Sequence, residues 1–236
     1  MIGYDAGMCG RFTLRTSPTD LTEMFRLLHE PLWMPRYNIA PTQPVAVIRE
    51  TAGGREFALL RWGLIPSWAK DPAIGSRMIN ARAETIATKP SFRAAFKRRR
   101  CLIPADGFYE WKKTDGKNKQ PYLIGMQKDE PFAFAGLWEH WQDSDGNELE
   151  SCTIITTSAN DLLAELHDRM PVILDEDDYD RWLDPRQDDK EQLQSLLVPL
   201  VSDRLRFYAV RTVVNSPRNE VPDCGEPAGE QGMLFG

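Results

Sequence analysis

Residues 101–159, CLIPADGFYEWKKTDGKNKQPYLIGMQKDEPFAFAGLWEHWQDSDGNELESCTIITTSA, decide the fold of this chain. Five strand-sized runs (CLIP, FYEWKK, PYLIGM, FAFAGLWEHW and SCTIITTSA) follow one another, separated by Gly, Pro, Asp and Asn. Aromatic and β-branched runs bounded by turn formers read as consecutive strands. On the N-terminal side, PVAVIRE (44–50) and FALLRWGLI (57–65) flank Thr51-Ala52-Gly53-Gly54 and read as a hairpin. Helical signals are short. Ser17 caps a helix with Pro18 in its first turn. The segment from Pro90 to Arg98 reads as a small basic helix. Ser158 to His167 reads as a helix capped by Ser158 or Asn160 and ended before Pro171. Two acidic helical pieces, around Asp177–Leu183 and Asp189–Leu197, precede a last strand, RFYAVRTVV (206–214). These readings make the chain α+β and β-rich, a single domain with a β-barrel-like antiparallel core flanked by short helices.

Composition narrows the function classes. A chain of 236 residues suits one large domain that needs no disulfide staples. Seven Trp and ten Phe demand an interior and exclude disorder. The apolar runs, such as Phe132 to Trp138, are strand-sized, and residues 1–15 lack a signal-peptide profile, so no membrane role is expected. Cys9, Cys101, Cys152 and Cys224 are widely spaced, without CxxC or any metal-ligand cluster. That spacing points to the reducing cytoplasm, to no metal and to no cofactor. The net charge of −6 hides an asymmetry: residues 1–128 carry a balance of +10 and residues 129–236 a balance of −16. The densest basic stretch, Lys89 to Lys113, centres on Lys97-Arg98-Arg99-Arg100. A basic half is what polyanion binding requires, although a charge run is more often a solvated face.

A few residues stand out chemically. Cys9 precedes Gly10 and Arg11, and a guanidinium nearby favours the reactive thiolate; the alternative is a small buried hydrophobe. Glu110 lies among aromatics in GFYEW, where desolvation raises a carboxyl pKa toward the range useful for proton transfer; the alternative is a solvated strand residue. Asn80 and Arg82 share one face of an extended segment and could hold an oxygen or a phosphate. His167 sits where a helix gives way to a Pro-terminated segment. Trp62, Trp68 and Trp111 accompany the basic half, as base-stacking side chains do on single strands, or fill the core.

In order along the chain, CGRF (9–12), YNIAPT (37–42), RWGLIPSW (61–68), NARAE (80–84), RCLIPADGFYEW (100–111), FAGLW (134–138), TTSAN (156–160) and HDRMP (167–171) resemble the SOS-response-associated peptidase family, also described as abasic-site processing proteins. The resemblance runs from Cys9 to about Pro217. It implies a domain over 9–217 and a leader of residues 1–8 that the mature protein lacks; after Pro217 the chain is rich in Gly, Pro and Glu and reads as a flexible tail over 218–236. The resemblance further implies a channel for single-stranded DNA and a mechanism. An amino-terminal Cys condenses with the aldehyde of a ring-opened abasic sugar, and its thiol closes a thiazolidine that shields the lesion.

Carried over position by position, Cys9 resembles the crosslinking residue and Asn80 the amide that orients the sugar. Glu110 resembles the proton shuttle, and His167 the imidazole that positions or protonates the sugar oxygen. Arg11 and Arg82 resemble phosphate contacts, with Trp68 and Trp111 near the DNA path. The expected partner is single-stranded DNA containing abasic sites, bound by a monomer that is cytoplasmic and nucleoid-associated when on DNA.

This chemistry needs Cys9 to be the first residue, because an amide nitrogen cannot form the imine. Translation from Met8 with methionine removal, self-cleavage of the leader, or loss of function are the alternatives. Two other readings stay open: a thiol hydrolase or peptidase acting in trans through Cys9, and a non-catalytic single-strand binder.

Overall fold

The computed structural model describes residues 10–114 and 119–229. Strand β1 (Phe12–Leu14) leads to helix α1 (Pro18–Phe25), where the Ser17 hydroxyl accepts the Asp20 N–H and Pro18 supplies a pre-set φ. After β2 (Arg36–Ile39) come β3 (Pro44–Thr51) and β4 (Gly54–Trp62), the expected hairpin. Then follow β5 (Asn80–Arg82), α2 (Arg93–Arg98), β6 (Arg100–Ala105), β7 (Gly107–Lys113) and β8 (Lys119–Met126). The long pair β9 (Phe132–Gln142) and β10 (Glu148–Ser158) precedes β11 (Arg169–Pro171) and β12 (Ile173–Leu174). Helices α3 (Tyr179–Leu183) and α4 (Lys190–Ser195) and strand β13 (Leu205–Ala209) complete the chain order.

Five strands close into the barrel that the sequence suggested. β3 pairs with β4 and β6, β6 with β9, and β9 with β10, all antiparallel. β10 returns to β4 by a short parallel contact, Ser151 and Cys152 against Arg61 and Trp62. One parallel seam therefore completes an otherwise antiparallel wall, and closure leaves these strands no open edge there. A second sheet, in the order β13-β8-β7-β1-β2, packs on the barrel. Its contact is aromatic: Phe12 meets Trp62 and Phe134 edge-on at 5.2 and 5.8 Å, and Phe108 meets Phe134 at 5.9 Å.

Two expectations give way to tertiary pairing. The helix expected over Ser158–His167 is only a 3-10 turn, Leu163–Glu165. Ser158 stays in the ladder opposite Arg169, so too few residues remain to offset the cost of helix nucleation. Asn160 still caps the turn, accepting the Leu163 N–H at 2.9 Å. Of the tail expected over 218–236, the part up to Ala228 is tied to the body, the Ala228 N–H reaching the Ala209 carbonyl at 3.0 Å, and residues 230–236 lie outside the described residues. Glu220 accepts the backbone N–H groups of Tyr37 and Asn38 and pairs with Arg36, Cys224 is fully buried, and Pro227 bridges to Val210. The last strand ends at Ala209, and Thr212–Asn215 winds into a 3-10 turn.

The basic run Lys97–Arg100 is divided by the fold. Arg100 is 3% exposed and donates to the carbonyls of Phe96, Lys97, Trp182, Asp184 and Gln187, tying α2 and α3 to β6. Burial pulls its pKa down to about 10, still high enough to keep the charge at neutral pH. Arg100→Met should leave those carbonyls without a donor and cost about 3 kcal/mol or more. For a chain of this size that corresponds to a thermal midpoint lower by roughly 6–12 °C, readable by calorimetry. An unchanged midpoint would remove Arg100 from the account of stability.

Candidate active site

Strand alternation sorts the N-terminal residues and β7 onto two faces. Phe12 faces Phe108 across the β1–β7 pairing, and both rings enter the main core. Carried two pairs outward, past Arg11 and Tyr109, that register sets Gly10 opposite Glu110, on the same face. Tyr109 and Trp111 point the other way, into a smaller cluster with Leu123, Val210, Val214 and Cys224. Cys9 lies outside the described residues, immediately before Gly10.

Among the described residues, Glu110 is a carboxyl whose pKa is shifted upward. Its Oε1 is buried and receives no hydrogen bond from the described residues. Burial pushes its pKa from 4.5 up to about 7, against smaller opposing effects from the Trp111 N–H and the positive charge of Lys119. A carboxyl whose pKa lies near 7 can both give and take a proton near neutral pH.

Asn80 is positioned by a different route. Its strand, β5, lies parallel to β10, with Asn80 opposite Ile154 and Arg82 opposite Thr156. It takes up the edge that β4 leaves at Trp62. The exit is glycine-dependent: Gly63 has φ +128°, and a Cβ there would stand 2.6 Å from the Gly75 carbonyl oxygen. The reverse approach, Gly75 toward Gly63, is 2.5 Å. Trp62, fully buried, spans the interval, since its ring meets Phe12 and its Nε1 donates to the Ile79 carbonyl at 2.9 Å. The residues flanking Gly10 and Asn80 are thereby locked through a single indole.

His167 follows the 3-10 turn, and its Nδ1 lies 3.0 Å from the Arg169 N–H and 2.9 Å from Asp168 Oδ1. The first contact needs a lone pair on Nδ1 and the second a proton, so a neutral ring makes only one of them. Arg169 binds both carboxylate oxygens of Glu84, at 2.5 and 2.9 Å, and the Thr156 carbonyl at 2.8 Å. One guanidinium therefore bolts the His167 loop to the segment that carries Asn80. Arg82 is exposed at the end of β5.

The other assigned residues divide. Trp68 is 58% exposed on the loop after the β4 exit, available for stacking. Arg11 turns to the opposite face from Glu110. Its Nη1 donates to Asn38 Oδ1 at 2.7 Å and to the Val214 carbonyl at 2.8 Å, and its guanidinium stacks 5.5 Å from the Trp111 ring. Trp111 Nε1 donates to Asn215 Oδ1 at 2.8 Å. Burial lowers the Arg11 pKa.

Asn38 was not singled out from sequence, although it lies within YNIAPT. It is fully buried, and its Nδ2 donates to the carbonyls of Val214, Ser216 and Asn219. Glu84, Arg169 and Glu220 were also missed as supports; each acts through a partner distant in sequence, which leaves no local signal. Among the described residues, no group of three His, Cys, Asp or Glu side chains could hold a metal, and no helix is long and apolar enough to cross a membrane.

With this geometry in view, known proteins can be compared. The protein named Abasic site processing protein YoqW, from Bacillus subtilis (strain 168), is 49% identical over 222 residues, covering 93% of this chain and 99% of the relative. Abasic site processing protein HMCES from Rattus norvegicus is 33% identical over 271 residues, covering 94% and 76%. A crystal structure of a protein from Bacteroides thetaiotaomicron superposes with a TM-score of 0.84 at 28% identity, covering 93% of this chain and all of that one. The family profile described as SOS response associated peptidase (SRAP) matches residues 8–217, and the chain belongs to that family.

Proposed function

We propose that this protein captures abasic sites in single-stranded DNA as a covalent adduct through Cys9. The observation that supports this most is the Glu110 carboxyl, buried, without a partner on Oε1 among the described residues, and on the strand position opposite Gly10. The relatives' names point to abasic sites, and the residues around Glu110 supply groups for the chemistry. The α-amine of a chain beginning at Cys9 adds to the sugar aldehyde and expels water, giving an imine. The Cys9 thiol then adds across the C=N bond and closes a thiazolidine. Only an N-terminal Cys carries amine and thiol on adjacent carbons, and ring closure is intramolecular. An α-amine pKa of about 8 leaves a usable neutral fraction.

Glu110 passes a proton to the departing water and takes it back as the thiol adds. Asn80 holds the sugar oxygens, and the free side of His167 protonates the ring-opened oxygen. Arg82 and Trp68 bind the strand, while Arg11 and Trp111 fix the start of β1 from behind. Cys9 becomes the first residue through a start at Met8 or through removal of the preceding segment, a cleavage in which Glu110 and His167 also serve.

Protein beginning at Cys9 should give a heat-stable adduct with abasic single strands on a denaturing gel, and Cys9→Ala should give none without borohydride. A stable adduct from Cys9→Ala would overturn the proposal.

Glu110→Gln should slow adduct formation by about 10²-fold. It should also stabilise the fold above neutral pH. Burial raises the folded-state pKa above the unfolded value, so the folded chain keeps a proton that the unfolded chain releases between pH 4.5 and about 7. Stability falls as pH rises through that window and stays lower above it, by up to roughly 3 kcal/mol. Denaturant melts at pH 8 should therefore favour Glu110→Gln, with the advantage vanishing near pH 4.5. An equal difference at both pH values would mean that Glu110 is not a strained carboxyl.

A further inference from the structure

We propose that the outer face of α2 is a second phosphate-contacting surface, along which the nucleic-acid strand continues beyond the lesion. The proposal rests on the DNA-capture reading above and extends it to residues with no part in the chemistry.

Backbone bonds wind the chain helically from Lys89 onward: the N–H groups of Phe92 and Arg93 reach the Lys89 carbonyl at 3.0 and 2.9 Å, and Phe96 reaches Phe92 at 2.8 Å. The inner face, Phe92, Ala95 and Phe96, is buried in the core. The outer face presents Lys89, Arg93 and Lys97, all exposed and spaced four residues apart. At about 1.5 Å rise per residue Arg93 and Lys97 stand roughly 6 Å apart along α2, and Lys89 lies in the turn that leads into it.

Nothing among the described residues neutralises them. The helix has no acidic residue in its first turn, and none of the three cations forms an ion pair among the described residues. By contrast, Arg99 pairs with Glu139 and Arg100 is fully engaged by carbonyls. Like charges at i,i+4 destabilise a helix, and Arg93 at the N-terminal end opposes its dipole. An exposed helix face that meets only water commonly alternates the signs of its charges. A row of unpaired cations instead fits a polyanion with regularly spaced charges.

Two further features select nucleic acid. A membrane-binding helix needs an exposed apolar face, and the apolar face of α2 is already used by the core. The row also continues from the site: Arg82 ends β5, and a turn in which the Lys89 N–H reaches the Thr85 carbonyl at 3.0 Å connects the two.

The test compares the wild type with the triple variant Lys89→Gln, Arg93→Gln, Lys97→Gln. A control removes equal charge elsewhere, through Lys128→Gln, Lys190→Gln and Arg218→Gln. Anisotropy of lesion-free single strands across a salt series reads the number of phosphates engaged. Three lost contacts should reduce the log–log slope by about 2, so that a fourfold rise in salt weakens the variant roughly 18-fold less than the wild type. The loss should appear with long strands and disappear with an oligonucleotide that only spans the site. Thermal midpoints should not fall, because the substitutions relieve repulsion. An unchanged slope, or an equal loss in the control, overturns the surface. If the wild type forms no adduct with abasic DNA while the slope still falls, the capture reading fails and the surface stands.

Discussion

Strand β10 must satisfy two different partners on each of its edges, and the placement of the site follows from that demand. Its first half pairs with β9 on one edge and touches β4 on the other, which closes the barrel. Its second half exchanges both neighbours, β9 for β11 and β4 for β5. The exchange on the β4 side requires the chain to leave the sheet at Gly63, where backbones approach too closely for any side chain. Asn80 and Arg82 occupy the vacated edge, and the His167 loop hangs from the opposite one. Arg169 ties the two edges together through Glu84 and Thr156. Barrel closure and the placement of Asn80, Arg82 and the His167 loop both follow from the pairing of β10.

The second sheet supplies the complementary half. Its inner face offers Glu110 and the start of β1, while its outer face is clasped by the segment after β13. Asn38 and Glu220 make most of that clasp, with Arg11 and Trp111 held against it. The two arginines carried over as phosphate contacts therefore serve different ends. Arg11 is committed to structure, whereas Arg82 is exposed. The raised Glu110 pKa is a cost to folding that the remaining core must offset, as expected where a carboxyl is kept ready for proton transfer.

Much of this was legible in the sequence. Strand runs, the glycine-turned hairpin, the Ser17-Pro18 cap and the aromatic setting of Glu110 are local signals, and the structure bears them out. The reading over Ser158–His167 failed because propensity cannot see that Ser158 is already paired with Arg169. Composition at 218–229 resembled a loose tail because Glu220 finds its backbone partners, Tyr37 and Asn38, more than 180 positions away. The meaning of Arg11, Asn38 and Arg100 was hidden for the same reason: a buried polar group is defined by what faces it. Charge density alone could not separate Arg100 from Lys97, although one is buried structure and the other open surface.

The central claim is that the reacting group is the aminothiol at Cys9. Peptide mapping by mass spectrometry of the adduct, formed between protein beginning at Cys9 and an abasic single strand, tests it most directly. The account predicts that the sugar remnant resides on the peptide starting at Cys9, with both its amine and its thiol blocked. A remnant found on a lysine, or a Cys9 thiol still free to alkylate, would contradict it.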